Sequence, residues 1–249
     1  MYKTKDLKQF FYCPECEDFY DESGFVIKFP NAYFTSSFIG CSAGCPKGHR
    51  RQVNTQYQIY LPEQPIKNNN SSIICFDMIN FSEKPQVFQF NNISILHAVC
   101  IEILSDGFSD AIYKGTGDGF ILGLPAYDVS KAIEFCEILI KEYLCKIDFI
   151  RYRIGIDYGL FFSYLDLQKR KDIMGQLVID VTRIANFGNG NQILLSENAA
   201  KNLIENGDKR KEYLTELGIC LAKHRIAYKI YNFHSEPVGA EYKISQKYP

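Results

Sequence analysis

The sequence predicts an α+β protein of ferredoxin-like plan, preceded by a small cysteine-rich module. From residue 72 onward, apolar runs of strand length and segments of helical period follow in the order strand, helix, hairpin, helix, strand. That order makes a sheet covered on one face by two helices. Residues 1 to about 60 read differently, with all four clustered cysteines, many aromatics and no long helical period. The whole chain, 249 residues with 46% hydrophobic, 14% aromatic and 23% charged, has the composition of an ordinary soluble globular protein with one large domain, or one domain and a small appendage.

In the amino-terminal module, Cys13-Pro-Glu-Cys16 is a two-residue knuckle, and Cys41, Cys45 and His49 follow within CSAGCPKGH. Paired knuckles let a short chain bind one structural Zn²⁺ tetrahedrally. Cys13, Cys16 and Cys45 are the expected ligands, with Cys41 or His49 completing the set. The alternative is a reduced, metal-free cluster packed in a small aromatic core. Pro62, Pro65 and the polar run Lys67 to Ser72 (KNNNSS) read as a linker. The expected division is 1–67 for the module with its linker and 68–249 for the larger domain.

Within the larger domain, Ile73 to Asp77 (IICFD) is a short buried strand, and Val87 to Leu104 carries apolar residues at helical spacing. Ala111 to Tyr113 and Phe120 to Leu124 flank KGTGDG, whose glycines and Asp fit a hairpin turn. Val129 to Leu144 is the second helix, and Tyr152 to Ile156 the next strand. Gln176 to Asn186 reads as helix, Gln192 to Leu195 as strand, Glu197 to Glu205 as helix and Ala227 to Phe233 as strand.

Twenty-eight Lys and Arg against 29 Asp and Glu give a net charge of -1, so no global positive field holds a nucleic acid. No run approaches the ~18 apolar residues that span a bilayer, and the start lacks a signal-peptide pattern. A cytoplasmic protein without stable membrane insertion is expected. Five cysteines (Cys75, Cys100, Cys136, Cys145, Cys220) sit singly in apolar stretches as small core residues, so no disulfide framework is indicated.

The chemistry concentrates on two carboxylates. Asp77 ends a buried strand and Asp118 sits at the tip of the hairpin, so the expected topology brings them to one edge of the sheet. Two carboxylates in one site repel unless a cation neutralises them, and hard oxygen ligands select Mg²⁺ or Mn²⁺. A two-metal phosphoryl-transfer site is the natural reading. The plain alternative is that both residues cap backbone donors.

The segments CFDMINFSE, YKGTGDGFILG, RYRIGIDYG and DIMGQLVIDVTRIANF, in this order between residues 72 and 233, resemble the catalytic domain of class III nucleotidyl cyclases. The resemblance implies that Asp77 and Asp118 hold two divalent cations, which bind a nucleoside triphosphate and acidify its ribose 3′-hydroxyl for attack on the α-phosphate. It implies that the backbone amides of Met78, Ile79, Asn80 and Phe81 face the phosphates, that Arg183 stabilises the transition state, and that Lys223 contacts the terminal phosphates. Lys114 and Asp172 match base-reading residues; a Lys donor with an Asp acceptor suits adenine or cytosine, and uracil with the partners exchanged. Ile179 stands where the family carries an Asn that holds the ribose. The family acts as homodimers with composite sites. The short build, with GNQILLS and KHRIAYKIYNF, looks like the bacterial pyrimidine cyclases of the Pycsar antiphage system, whose cyclic UMP or cyclic CMP is read by a separate effector. An adenylate cyclase and a non-catalytic nucleotide-binding module are the alternatives.

Overall fold

The computed structural model describes residues 7–21, 26–28, 42–45, 47, 49–52, 58–142, 151–222 and 225–235. The chain divides into two compact units: Met1–Lys67 with Phe162–Asp172, and Asn68–Phe161 with Ile173–Pro249.

The first unit holds two small antiparallel sheets. In one, β1 (Lys8–Cys13) lies between β2 (Asp18–Asp21) and a later strand, β6 (Gln58–Leu61). The other is β3 (Val26–Lys28), β4 (Ser42–Gly44) and β5 (Arg50–Gln52) in that order. Tyr12 and Phe19 pack around Phe162, with ring centroids 6.0 and 5.0 Å from it. Cys13 and Cys45 are buried beside Phe11, with Cys16 and Tyr20 against them.

The second unit is built on one mixed sheet. Its elements are β7 (Ile66–Met78), α1 (Gln86–Ser105), β8 (Ile112–Gly115), β9 (Gly119–Leu124), α2 (Val129–Glu142), β10 (Tyr152–Leu165), β11 (Lys171–Met174), α3 (Gln176–Asn186), β12 (Gln192–Ser196), α4 (Glu197–Glu205), β13 (Leu214–Leu221) and β14 (Ala227–Phe233), of which residues 66–67 of β7, 162–165 of β10 and 171–172 of β11 belong to the first unit. The strand order is β13-β14-β12-β10-β7-β9-β8, with β11 paired to β10. The inner part, β10-β7-β9-β8, is the ferredoxin-like arrangement, and β12, β14 and β13 extend it beyond β10.

Alternation along β7 assigns the two faces. Ile74, Phe76 and Met78 join Leu96 and Cys100 of α1, Phe135 and Leu139 of α2, and Leu203 of α4 in the main core. Ile73 and Cys75 point to the opposite face, where Leu177, Val181 and Ala185 of α3 cover them. The sheet is therefore covered on both faces, whereas the sequence pattern predicted helices on one.

The polar run Lys67 to Ser72 is strand rather than linker. Ser71 and Ser72 are fully buried, and the Ser71 hydroxyl accepts from the amide of Ala126 at 3.0 Å and donates to the carbonyl of Asn69 at 2.9 Å. A hydroxyl satisfied in this way sits in a sheet at little cost. β13 escaped the sequence reading because its alternation is broken: the register shifts between Glu216 and Gly218, and Gly218 adopts φ 91°. By length and composition α1 could cross a membrane, the one such helix among the described residues. Its Asn and Gln residues interrupt the run, and Leu96, Cys100 and Ile103 pack it into the core.

Candidate active site

Asp77 lies near the end of β7, and its register partner across the antiparallel pair is Gly119 at the start of β9. A Cβ on Gly119 would stand 1.9 Å from the carbonyl oxygen of Phe76, so the strands meet this closely only because residue 119 is glycine. Gly117, at φ 92°, turns the hairpin. The amide of Met78 donates to the carbonyl of Asp118 at 2.9 Å, fixing the hairpin tip to the strand end. The sequence expectation that Asp77 and Asp118 converge is met at this edge. Burial raises the Asp77 carboxyl above the ordinary range, the Arg153 guanidinium works against that, and Asp118 adds to it by repulsion and a shared hydrogen bond.

Arg153 of β10 escaped the sequence reading. Its Nε donates to Asp77 Oδ2 at 2.6 Å, a short charge-assisted contact with both side chains partly buried. One signal for it was available: Arg153 stands between the buried Tyr152 and Ile154, on the face of the strand that looks away from the main core.

The segment after β7 is only in part available to a phosphate. The amide of Met78 is taken by Asp118, and that of Ile79 donates to the carbonyl of Arg151 at 2.8 Å. The expected four-amide cradle is thereby reduced to Asn80 and Phe81. Asn80 takes the left-handed conformation at φ 56°, and Phe81 is buried and opens a single 3-10 turn through Glu83.

α3 lies over the same sheet face as Asp77. It approaches β10 at Gly155, where a Cβ would stand 2.6 Å from the Val181 carbonyl oxygen and 2.7 Å from the Ala185 nitrogen. Arg183 sits on this helix in a closed polar cluster. Its Nη1 donates to Tyr228 Oη at 2.9 Å and to Asp180 Oδ1 at 3.2 Å, while Tyr228 Oη donates to Asp180 Oδ1 at 2.5 Å. Gln176 Nε2 adds a third contact to the same carboxylate oxygen at 2.9 Å. Ile179, one turn before Arg183, leaves 47% of its surface in solvent. Beneath α3, Asp157 of β10 is buried and accepts from the hydroxyl of Ser196, the N-cap of α4, and from the amide of Tyr158. Burial pushes its carboxyl up to about 6, although both hydrogen bonds work to lower it.

Of the expected base-reading residues, Lys114 lies on β8 in the second unit, and Asp172 on β11 in the first. Asp172 Oδ2 accepts from Tyr164 Oη at 2.9 Å. Lys223 lies outside the described residues.

The amino-terminal ligand set is brought together. One donor atom each of Cys13, Cys16, Cys45 and His49 lie within 4.8 Å of one another. Cys16 Sγ is 3.6 Å from Cys45 Sγ, and His49 Nδ1 is 3.3, 3.4 and 3.9 Å from the sulfurs of Cys16, Cys45 and Cys13. Cys41 lies outside the described residues.

No protein-family model matches the chain, and no curated protein matches it. Solved structures do. The guanylate cyclase domain of RhGC from Catenaria anguillulae, in complex with GTP, superposes with a TM-score of 0.57 at 15% identity, covering 68% of this chain and 98% of that one. A Trypanosoma brucei adenylate cyclase in its monomeric state gives 0.57 at 16%, covering 70% and 92%. The adenylate/guanylate cyclase/hydrolase from Silicibacter pomeroyi gives 0.54 at 17%, covering 68% and 98%. The chain has the fold of class III adenylate and guanylate cyclase domains.

Proposed function

We propose that the protein is a nucleotidyl cyclase that converts a nucleoside triphosphate to its 3′,5′-cyclic nucleotide and pyrophosphate. The observation that carries this reading is the convergence of Asp77, Asp118 and Arg153 at one edge of a cyclase-fold sheet. Two neighbouring carboxylates suit hard divalent cations, and the Arg153 guanidinium occupies the position of a compensating charge. Asp77 and Asp118 hold two such ions, Mg²⁺ or Mn²⁺, whose chemistry there is to neutralise the triphosphate and acidify the ribose 3′-hydroxyl.

Released from Asp77, Arg153 turns its planar donor fork to a phosphate. The amides of Asn80 and Phe81 face the same group, and Lys223 meets the terminal phosphates. Arg183 stabilises charge developing on the α-phosphate. It does so from a second copy of the chain. Arg183 is tied to Tyr228 of β14, and β14 stands three strands from β7 in the sheet. The support for a homodimer with composite sites is the resemblance to the family. Lys114 and Asp172 read the base.

The base is a pyrimidine, so the product is cyclic UMP or cyclic CMP, read by a separate effector in antiphage defence; the support is the likeness of GNQILLS and KHRIAYKIYNF to the Pycsar enzymes. The exposed Ile179 offers the ribose an apolar contact where an Asn would hydrogen-bond. The protein acts in the cytoplasm, where its substrate is made. The test is pyrophosphate release from each of the four nucleoside triphosphates with Mn²⁺, with the product identified chromatographically. Turnover of UTP or CTP supports the reading, and turnover of ATP alone moves the base to adenine. Nucleotide binding without turnover of any of the four returns the protein to the class of binding modules.

A further inference from the structure

We infer that Cys13, Cys16, Cys45 and His49 form a Cys₃His site for one tetrahedral Zn²⁺, with Nδ1 of His49 as the fourth ligand, and that this ion holds the Phe162–Asp172 hairpin in place. The distances carry the argument. A tetrahedron with Zn–S of about 2.3 Å and Zn–N of about 2.0–2.1 Å has S···S edges near 3.8 Å and S···N edges near 3.6 Å. The measured Cys16–Cys45 edge is 3.6 Å, and the three edges to His49 are 3.3, 3.4 and 3.9 Å. All three cysteines are free thiols, so no disulfide accounts for their approach.

The backbone around the sulfurs has the form of two knuckles. Cys13 receives hydrogen bonds from the amides of Glu15 and Cys16, and Cys45 from those of Lys47 and His49. Amides aimed at sulfur stabilise thiolate and orient it towards a shared centre. The second knuckle is closed further by the Cys45 amide, which donates to the His49 carbonyl at 3.0 Å. Thiolate with imidazole at tetrahedral spacing selects Zn²⁺ over the hard cations expected at Asp77. Four protein ligands leave no open position, so the site is structural rather than catalytic.

The ion also explains how a minor core stays ordered. One buried cluster of the module consists of Phe11 with Cys13 and Cys45, with Cys16 and Tyr20 against them, so ligation cross-links a core of small apolar area. Tyr12 directly precedes the first ligand, Phe19 follows the second by three residues, and both rings pack on Phe162. Phe162 stands two residues before Tyr164, which holds Asp172. Metal, aromatic ring, Tyr164 and Asp172 thus form one continuous mechanical chain within the first unit.

The full chain, purified without chelator, should contain one zinc by elemental analysis, and Co²⁺ exchanged into it should give the visible absorption of a tetrahedral thiolate site. His49→Ala should weaken retention at least tenfold in competition with a chelating dye, while His49→Cys restores it and Cys41→Ser leaves the metal content unchanged. Zinc removal should raise hydrogen exchange in residues 162–172 but not in β12. Absence of zinc together with no tetrahedral Co²⁺ spectrum overturns the site. Loss of zinc in Cys41→Ser with retention in His49→Ala overturns the ligand set. Unchanged exchange at 162–172 after metal loss overturns the hairpin role. None of these readouts requires turnover, so they stand whether or not the protein is a cyclase.

Discussion

Arg153 Nε lies 2.6 Å from Asp77 Oδ2, and each side chain is partly screened from water. The guanidinium therefore competes with any cation for that oxygen. Arg153→Met should tighten Mn²⁺ binding to the nucleotide-free protein by about tenfold or more, because a charge-assisted hydrogen bond of roughly 1.5–3 kcal/mol no longer has to be broken. The same change should lower kcat/KM by about a hundredfold through loss of a phosphate contact. Mn²⁺ titration followed by electron paramagnetic resonance checks the first part; weaker metal binding in the variant would show that Arg153 does not compete for the carboxylate.

Asp77→Ala and Arg183→Ala should each be inactive alone while remaining folded, since neither residue is a core contact. Mixed after subunit exchange, they should regain up to about a quarter of wild-type activity, the share of intact composite sites in random dimers. A mixture that stays inactive after exchange has been demonstrated by mass spectrometry would place the whole site within one chain.

Asp157 gives the protein a pH dependence independent of the metal ligands. Burial raises its carboxyl from 3.8 to about 6 in the folded state. The folded state then holds a proton that the unfolded chain has lost, so stability is full below about pH 4 and falls as the pH rises towards 6. The loss is on the order of 2–3 kcal/mol at ~1.4 kcal/mol per pKa unit. Asp157→Asn retains an acceptor for Ser196 and should flatten this part of the profile. Urea midpoints measured between pH 4 and 7 check it, and a wild-type curve no steeper than the variant's would refute the assignment.

Gly155 has no room for a side chain, because α3 stands against it. Gly155→Ala must push the helix outward, at a cost of about 1–3 kcal/mol and several degrees in Tm. Because the shift also displaces Arg183, activity should fall further than the loss of folded protein accounts for. Thermal melts and rates on the same samples separate the two effects.

The sequence pattern located α3 and α4 to the residue, as Gln176–Asn186 and Glu197–Glu205. Both helices carry one apolar stripe and lie next to short apolar strands, so local period and burial agree. The Asp77–Asp118 pair was legible for a related reason: a buried strand ending in Asp and a Gly-Asp-Gly turn each announce themselves locally. What stayed hidden depends on partners distant in sequence. Arg153 meets Asp77 across 76 positions, and Tyr228 meets Arg183 across 45. The polar run ahead of Ile73 looked like linker because hydroxyl burial is decided by a partner such as Ala126, 55 positions away. The choice between Cys41 and His49 was likewise open to spacing, since either gives an acceptable knuckle; the structure places His49 Nδ1 near three sulfurs, and Cys41 lies outside the described residues.

The irregularity in β13 bears on how the protein behaves at high concentration. β13 is the outermost strand at its end of the sheet, and among its residues Ile219 and Leu221 are largely exposed. A flat apolar edge of this kind invites a neighbouring molecule to add its own strand and start an aggregate. The shift between Glu216 and Gly218 twists the edge and interrupts its row of donors and acceptors, which makes such stacking unfavourable. Gly218→Val, which cannot hold φ 91° comfortably, should straighten the edge and raise light scattering on concentration. Scattering no greater than wild type would mean that colloidal stability is protected elsewhere on the surface.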